Sequence, residues 1–322
     1  MKGIGSQCSG AVVLWMVVVL LSGCRALNAP EGTKPERPVF DIRQTGSVRN
    51  PALIEASGMA HARREPGLLW MVNDGGHPAE LFAVGTDGRD EAQVEVEGAV
   101  NTDWEDLAGF ELGGRAFILI ADVGDNHAVR DSVDIYVVAE PARQASGRFP
   151  SRIAIAWQFR FRYEDGPRDC EAAGVDPHAE QILLITKRTT PPQIYALPLR
   201  PAAGLVATAR RVGEVPWIPP PTDADLIADP RWGAIKSQPT ALDIRSDNRL
   251  AAVLTYKDAY LFPRATGETW PAALGREPLT VRLPPLKQKE TAAFDPKGRK
   301  INVSTEQRPT PLLEVDLPRG LH

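Results

Sequence analysis

The feature that most constrains the fold is a pair of apolar runs bracketed by carboxylates. In DWEDLAGFELGGRAFILIADVGDN, residues 103–126, the runs AGFEL and AFILIAD are separated by a Gly-Gly turn. Two short apolar runs joined by such a turn predict a β-hairpin. A hairpin brings its beginning and its end to the same edge of a sheet. The flanking acids therefore belong to one rim: Asp103, Glu105, Asp106, Asp122 and Asp125.

The same pattern recurs along the chain, beginning near Asp169, Gln238 and Lys287, and in a looser copy near Ile54. Corresponding polar residues on either side of each hairpin have similar spacings: 17 residues from Glu105 to Asp122, and 16 from Glu171 to Lys187, Thr240 to Tyr256 and Glu290 to Glu306. A third strand follows each pair, and a more polar fourth strand follows in most units. Repeats of four antiparallel strands predict an all-β fold, a β-propeller of four-stranded blades.

Five blades are favoured, with a sixth left open in residues 212–237. The prolines of that region, in VGEVPWIPPPTDADLIADPRWGAIKS, indicate a loop over one face instead. The last unit lacks its fourth strand at the C-terminus. The run PVFDIRQTGSV, residues 38–48, is a strand without a unit of its own. We expect it to complete the last blade and close the ring.

The N-terminus predicts export. AVVLWMVVVLL, residues 11–21, is shorter than the roughly 20 residues that span a bilayer, so it indicates a signal peptide. The following Leu-Ser-Gly-Cys resembles the lipobox of bacterial lipoproteins. This resemblance implies a signal peptide of residues 1–23 and a lipidated Cys24. The polar, proline-bearing run that follows predicts a flexible tether of residues 24–38, and the repeats predict a single propeller domain of residues 39–322. Arg25 after the cysteine implies an outer-membrane anchor that faces the periplasm.

Composition excludes several functions. Net charge is −4, and no basic cluster stands out, so nucleic acid is not an expected partner. Neither a P-loop nor a G-x-G-x-x-G motif occurs, so no nucleotide or flavin is expected; without a recognisable quinone block, a quinone is not expected either. Once the signal is removed and Cys24 is lipidated, only Cys170 remains, so no intramolecular disulfide can form. We expect a monomer.

The starts of the first strands should meet at one mouth of the central channel. This places Glu55, Glu105, Glu171 and Glu290 in one funnel, with Thr240 at the matching position of the fourth blade. The predicted ligand-binding residues are the polar groups at these starts and at the matching strand ends: Glu55, Asn73, Asp74, Asp103, Glu105, Asp122, Lys187, Arg188, Tyr256, Glu290 and Glu306.

Converging carboxylates repel one another unless a cation or basic side chains intervene. One hypothesis is a divalent-cation site, with Ca²⁺ favoured by the oxygen ligands that Glu105, Asp122, Asp125, Asn126 and Glu171 offer. The other is a structural ring of ion pairs that uses the basic residues near matching positions: Lys187, Arg188, Lys257, Lys289 and Arg308. The sequence leaves both open.

Several blocks together resemble a known group of proteins: SGMAHARREPGLLWMVNDGG, DWEDLAGF, LIADVGDNHAVRDSVDIYVV, DCEAAGVDP, LLITKR and KETAAFDPKG. They look like exported bacterial propellers of the group labelled esterase-like activity of phytase, which includes the SdiA-regulated proteins. More remotely, DCEAAGVDP followed by LLITKR is similar to the calcium-dependent β-propeller phytases. That likeness implies six blades and phosphomonoester hydrolysis by metal-activated water. By position it implies that Glu171 is a channel acid and Lys187 a phosphate ligand. Together with Glu105 of the funnel, these are the candidate catalytic residues.

We therefore expect an outer-membrane-anchored periplasmic propeller. Its acidic funnel would bind a divalent cation and a small anionic ligand, with phosphoester hydrolysis as a further hypothesis. The alternative is a non-catalytic propeller that docks a protein or polymer of the cell envelope.

Overall fold

The computed structural model describes residues 38–321. The predicted signal peptide, Cys24 and the tether up to residue 37 lie outside the described residues, so those hypotheses stay predictions. Among residues 38–321, no helix is long and apolar enough to cross a membrane.

The described chain forms twenty strands, grouped in five four-stranded antiparallel units. Blade 1 comprises β2 (Ala56–His61), β3 (Leu68–Asn73), β4 (Glu80–Gly85) and β5 (Asp90–Glu97). Blade 2 comprises β6 (Trp104–Leu112), β7 (Arg115–Asp122), β8 (Val133–Ala139) and β9 (Arg152–Tyr163). Blade 3 comprises β10 (Cys170–Asp176), β11 (Gln181–Thr186), β12 (Gln193–Pro198) and β13 (Ala207–Glu214).

Blade 4 comprises β14 (Pro239–Ile244), β15 (Leu250–Thr255), β16 (Ala259–Pro263) and β17 (Leu279–Val281). Blade 5 comprises β18 (Lys289–Phe294), β19 (Lys300–Thr305), β20 (Pro311–Asp316) and the N-terminal strand β1 (Asp41–Ser47). The edge strand β9 also forms short parallel pairings with β5 and with β13. These pairings tie blade 2 to both of its neighbours.

The five units form a closed ring. Their first strands, β2, β6, β10, β14 and β18, contact one another in chain order, and β18 contacts β2 again. β1 pairs antiparallel with β20 and completes blade 5, which is the closing role expected for that strand. The architecture is a β-propeller, as the repeated hairpins predict.

The hydrophobic core lies in layers between neighbouring blades. Trp70 and Trp104 are fully buried in the layer between blades 1 and 2. The inner strands approach closely because small residues face them: a Cβ on Gly58 would lie 2.9 Å from the Leu107 nitrogen. Cys170 is buried in the layer between blades 2 and 3, and burial raises the pKa of its thiol to about 12. It is therefore a packing residue and not a reactive thiol.

Residues 215–238, between blades 3 and 4, form what we call the cover segment. It contains α1 (Asp223–Ala228), which Thr222 caps through a reciprocal contact with Asp225, and a 3₁₀ turn at Gly233–Ile235. No strand occurs within it, in keeping with the loop predicted there. A second short helix, α2 (Trp270–Leu274), precedes β17, and a 3₁₀ turn at Arg319–Leu321 follows β20.

Candidate functional site

A β-bulge occurs at the start of the first strand in every blade. In each first hairpin the register shifts by one residue at the second position of the strand. Such a bulge leaves one residue unpaired and re-aims its side chain. The residues at the five bulges are Ser57, Glu105, Glu171, Thr240 and Glu290.

Four of the five residues expected at the strand starts lie at these bulges, but in blade 1 the structure places Ser57 where the sequence alignment placed Glu55. Glu55 lies two residues earlier. Its side chain is 49% exposed and contacts Nε2 of His77 at 2.6 Å. The hydroxyl of Ser57 points to the neighbouring blade and donates to the backbone oxygen of Trp104 at 2.7 Å.

A second ring is formed by the residues that follow each second strand. In each blade, the last residue of the second strand pairs with the first residue of the preceding strand: Asn73, Asp122, Thr186, Thr255 and Thr305. The residues directly after these form the ring: Asp74, Val123, Lys187, Tyr256 and Glu306. The charged side chains of the two rings, together with Asp103 and Tyr256, make up what we call the acidic funnel. Its acids are Asp74, Asp103, Glu105, Glu171, Glu290 and Glu306, and its basic residue is Lys187. Five of these acids, Lys187 and Tyr256 line a cavity of about 240 Å³.

Lys187 is the one basic side chain that forms an ion pair with a funnel carboxylate among residues 38–321. Its ammonium pairs with Glu171 and lies 5.4 Å from the centre of the Tyr256 ring. The second carboxylate oxygen of Glu171 is buried and has no hydrogen-bond partner within the described chain. One lysine thus faces six carboxyl groups.

Burial, together with this imbalance, raises the pKa values of five funnel acids: Asp74, Asp103, Glu105, Glu290 and Glu306. Burial is the main cause for Asp103, whose pKa rises to about 6, with the neighbouring Asp74 carboxylate as the next cause. Burial followed by Asp74 also raises the pKa of Glu306 to about 7. The pKa values of Glu105 and Glu290 lie well above the ordinary range for the same reason, burial first and nearby carboxylates second. Such a cluster is stabilised either by protons or by a cation.

Three funnel acids have the geometry of a cation site. One carboxylate oxygen each of Asp74, Asp103 and Glu105 lies within 4.8 Å of the others. Two glycines make room for them: a Cβ on Gly124 would collide with the carboxylates of Asp103 and Glu105, and a Cβ on Gly75 would lie 2.5 Å from Asp103 Oδ1. Carboxylate oxygens at this spacing are suitable ligands for a hard divalent cation.

The other predicted metal ligands are engaged elsewhere. Asp122 accepts hydrogen bonds from the backbone of Thr102 and Asp103, and from Arg130 at 2.8 Å. Asp125 accepts from the backbone nitrogens of residues 129 and 130. These contacts hold the turn after β7. Of the five predicted ligands, the three-carboxylate cluster contains Glu105 alone.

Asn126 and Glu171 are likewise paired with basic residues. Asn126 accepts from Arg188, whose Nε also contacts Asp169 at 2.5 Å. Asn73, another predicted funnel residue, anchors the chain before β2 because it accepts from the backbone of Ile54 and Glu55. The cluster is completed instead by Asp74 and Asp103, which the sequence places in the funnel without assigning them to the metal.

Part of the predicted ion-pair ring is found among the described residues, because Lys187 pairs with Glu171 and Arg188 with Asp169. Lys289 donates to the backbone oxygens of Pro284 and Leu286, at 3.1 and 3.0 Å, and burial lowers its pKa to about 8. Lys257 pairs with Asp225 of the cover segment at 2.6 Å. Arg308 donates to the backbone oxygen of Pro51. Three of the five predicted basic residues therefore form their described contacts outside the funnel.

The cover segment forms part of the funnel wall, through Trp232, Ile235 and Gln238. The ion pair of Asp225 with Lys257 and the hydrogen bond from Trp217 Nε1 to the Gly275 oxygen, at 3.0 Å, attach this segment to blade 4. The sequence predicts a loop here but does not indicate these contributions to the cavity. The two tryptophans of this proline-rich insertion, Trp217 and Trp232, are the sequence signal that points to them.

Comparison with protein-family models finds no match, and no curated protein matches the chain. Among solved structures, the chain is similar to a PQQ-bound aldose sugar dehydrogenase from Streptomyces coelicolor. The TM-score is 0.48 at 11% identity, over 87% of this chain and 99% of that one. A likeness at this level carries no argument about ligand or activity. The β-propeller architecture is the part of the family resemblance that the strand pairing and the ring of first strands support.

The class that the fold and the site define is a β-propeller with an acidic central funnel.

Proposed function

We propose that this protein is a cell-envelope propeller whose acidic funnel binds one divalent cation, Ca²⁺, at Asp74, Asp103 and Glu105. Through that cation it holds a small anionic ligand. The observation that carries the proposal is the shortage of ion pairs in the funnel: among the described residues, Lys187 alone pairs with any of the six carboxyl groups.

The free oxygens in the cluster support this proposal. No hydrogen bond within residues 38–321 reaches the side chains of Asp103 and Glu105, although Glu105 is only 6% exposed. The carboxylate of Asp74 accepts one bond, from the backbone of Gly75. Buried acids with a structural role normally have hydrogen-bond partners. A cation with six to eight oxygen ligands would use these free lone pairs together with water and the ligand.

Lys187 and Arg188 supply positive charge for the anionic ligand. Both line the same cavity as Asp74 and Glu105. A cation between the carboxylates and a bound phosphate group would neutralise charge and lower the pKa of a bound water. Hydrolysis of a phosphomonoester, with Glu105, Glu171 and Lys187 as its candidate residues, is therefore the activity to test once cation binding is established.

The cellular setting is also part of the proposal. A lipid anchor at Cys24 would place the protein in the outer membrane, facing the periplasm. The strand β1 starts at the rim opposite the funnel, because Asp41 pairs with Asp316 and Ser47 with Pro311.

Calorimetric titration of the metal-free full chain with Ca²⁺ tests the proposal. We expect one site with a dissociation constant of about 10⁻⁴ to 10⁻³ M, the range of extracellular calcium modules. Glu105→Gln should weaken it at least about tenfold, a loss of roughly 1.4 kcal/mol. Glu111→Gln is the matched control, because Glu111 lies on the same strand but is exposed near the opposite rim. Absence of binding at millimolar Ca²⁺ would refute the proposal.

The second candidate function is a non-catalytic docking module. It is favoured by the apolar side chains that the cover segment exposes: Trp217, Leu226, Ile227 and Trp232. If Ca²⁺ binds but a panel of phosphomonoesters is not hydrolysed by the wild type or by Glu105→Gln, the docking module becomes the better account.

A further inference from the structure

A second cavity adjoins the acidic funnel and has the opposite charge. Its volume is about 260 Å³, and its basic wall consists of Arg231, Lys236 and Lys287. It shares Trp232, Ile235, Tyr256 and Gln288 with the funnel cavity. We call it the basic cavity. A molecule bound in it would therefore lie beside the funnel.

The three basic side chains have no acidic partner within the described part of the chain. No carboxylate of residues 38–321 forms a salt bridge with Arg231, Lys236 or Lys287, whereas nearby Lys257 and Arg188 are both paired. The acid that lines the cavity, Asp229, accepts a hydrogen bond from the backbone of Trp232. Unpaired like charges around one cavity favour binding of an anion.

The remaining wall is suited to a hydroxylated ring. Trp232 is 43% exposed, and the Arg231 guanidinium carbon lies 4.6 Å from the centre of its ring. An exposed aromatic face offers apolar contact together with a polar rim. The side-chain amides of Gln288 and Gln307 line the same space. An amide both donates and accepts hydrogen bonds, as a sugar hydroxyl requires.

The amides also connect the two cavities. Gln307 donates to the side-chain oxygen of Gln288, and Gln288 donates to Glu306 in the funnel. Gln288 has a positive φ of 44°, a conformation that is uncommon for a non-glycine residue and is found at ligand sites. The small volume, below the roughly 300 Å³ at which pockets for drug-sized ligands begin, limits the ligand to about one sugar unit.

We propose that the basic cavity binds the oxyanion and ring of a sugar acid or a sugar phosphate, with the ring against Trp232 and the charge near Lys236 and Lys287. The site stands on its own residues. Only the further step, in which the other end of this ligand reaches the cation at Asp74, Asp103 and Glu105, rests on the proposed function.

Calorimetry of the full chain in EDTA tests the basic cavity apart from the cation. The probes are glucose 6-phosphate, glucuronate, glucose and inorganic phosphate. We expect binding of one or both charged sugars, with glucose and inorganic phosphate at least about tenfold weaker. Tighter binding of glucose 6-phosphate would identify the oxyanion as a phosphate, and tighter binding of glucuronate would identify it as a carboxylate.

Lys236→Ala combined with Lys287→Ala should weaken binding of the charged sugar about tenfold. Lys297→Ala is the matched control, because this exposed lysine lies in the β18–β19 turn at the opposite rim, and it should leave binding unchanged. Trp232→Leu should weaken binding as well, which identifies the aromatic contact.

Three results would each overturn the proposal that the basic cavity binds a charged sugar. They are equal binding of glucose and glucose 6-phosphate, no binding of either charged sugar at millimolar concentration, and an unchanged affinity in the double lysine variant. Sugar binding in EDTA without any Ca²⁺ binding would overturn the proposed function alone. Ca²⁺ binding without sugar binding would overturn only the proposal that the basic cavity binds a sugar.

Discussion

Two neighbouring residues of β6, Glu105 and Asp106, are both buried carboxylic acids, yet their surroundings differ. Asp106 Oδ1 accepts from the backbone of Leu107 at 2.9 Å, and Oδ2 accepts from Ala173 at 2.9 Å and from Leu242 at 3.0 Å. It joins blades 2, 3 and 4 at the centre of the ring. Glu105, re-aimed by the bulge, faces the funnel with no hydrogen bond from the described chain. The difference separates an acid that holds the fold together from an acid that is free to bind a ligand.

The largest expected effect comes from changing these two carboxylates to amides. In Asp106→Asn, either orientation of the amide brings its NH₂ group against a backbone N–H. Unfolding in denaturant should therefore show a loss of roughly 3 kcal/mol, as expected for buried donors left unpaired. Glu105→Gln removes a charge without breaking a described hydrogen bond, so in metal-free buffer its stability should stay within about 1 kcal/mol of the wild type or rise. Equal losses in both variants would contradict the distinction.

Next in size is stabilisation by calcium. At a Ca²⁺ concentration one hundred times the dissociation constant, the free energy of unfolding should rise by about 2.7 kcal/mol. Thermal unfolding at several Ca²⁺ concentrations measures this rise. At the same Ca²⁺ concentration the rise should fall to about 1.4 kcal/mol or less in Glu105→Gln and persist in Glu111→Gln. A rise of equal size in both variants would place the cation elsewhere.

The funnel acids also predict how stability depends on pH without metal. Burial and neighbouring carboxylates raise the pKa of Asp103 from 3.8 to about 6, and that of Glu306 from 4.5 to about 7. The folded state therefore holds these protons more tightly than the unfolded state, and their contribution to stability falls as pH rises from about 4 to about 7. Denaturant unfolding in EDTA across this range measures the slope.

Calcium should change this pH dependence, because it binds the ionised carboxylates and competes with protons. Its apparent affinity should decrease as pH falls below about 6, where Asp103 takes up a proton. An affinity that is constant from pH 5 to pH 7 would be inconsistent with a cation held by Asp103.

The smallest effect is expected at Glu55, which the sequence places in the funnel ring and the structure places two residues before the bulge. Its half-exposed contact with His77 is of the kind that contributes less than about 1 kcal/mol. Glu55→Gln should change neither stability nor Ca²⁺ affinity by more than that amount. A large loss of Ca²⁺ affinity would restore Glu55 to the site.

The sequence predicts the fold well because hairpin patterns and turn residues are local signals, and their repetition implies a propeller. It also predicts the role of β1. The N-terminal strand belongs to no repeat, and the last repeat lacks its fourth strand, so the first can complete the second. The site is less predictable, because ring positions depend on bulges and hairpin lengths that periodicity does not reveal. The longer β6–β7 hairpin places Val123, not Asp122, at the position of Lys187.

The pairing of charges was also beyond the sequence. Lys289 and Lys187 both lie near the funnel rim in the alignment, but only the three-dimensional path of the chain directs the first to backbone oxygens and the second to Glu171. For the same reason, Asp103 could be placed in the funnel from its position before β6, but its proximity to Asp74 required the structure.

A crystal structure of the protein soaked in Ca²⁺ tests whether the funnel binds a cation. We expect a cation bound by oxygens of Asp74, Asp103 and Glu105 at about 2.3–2.6 Å, with water or ligand completing its shell. A funnel that binds no cation at saturating Ca²⁺, with its carboxyl groups hydrogen-bonded to one another, would contradict it.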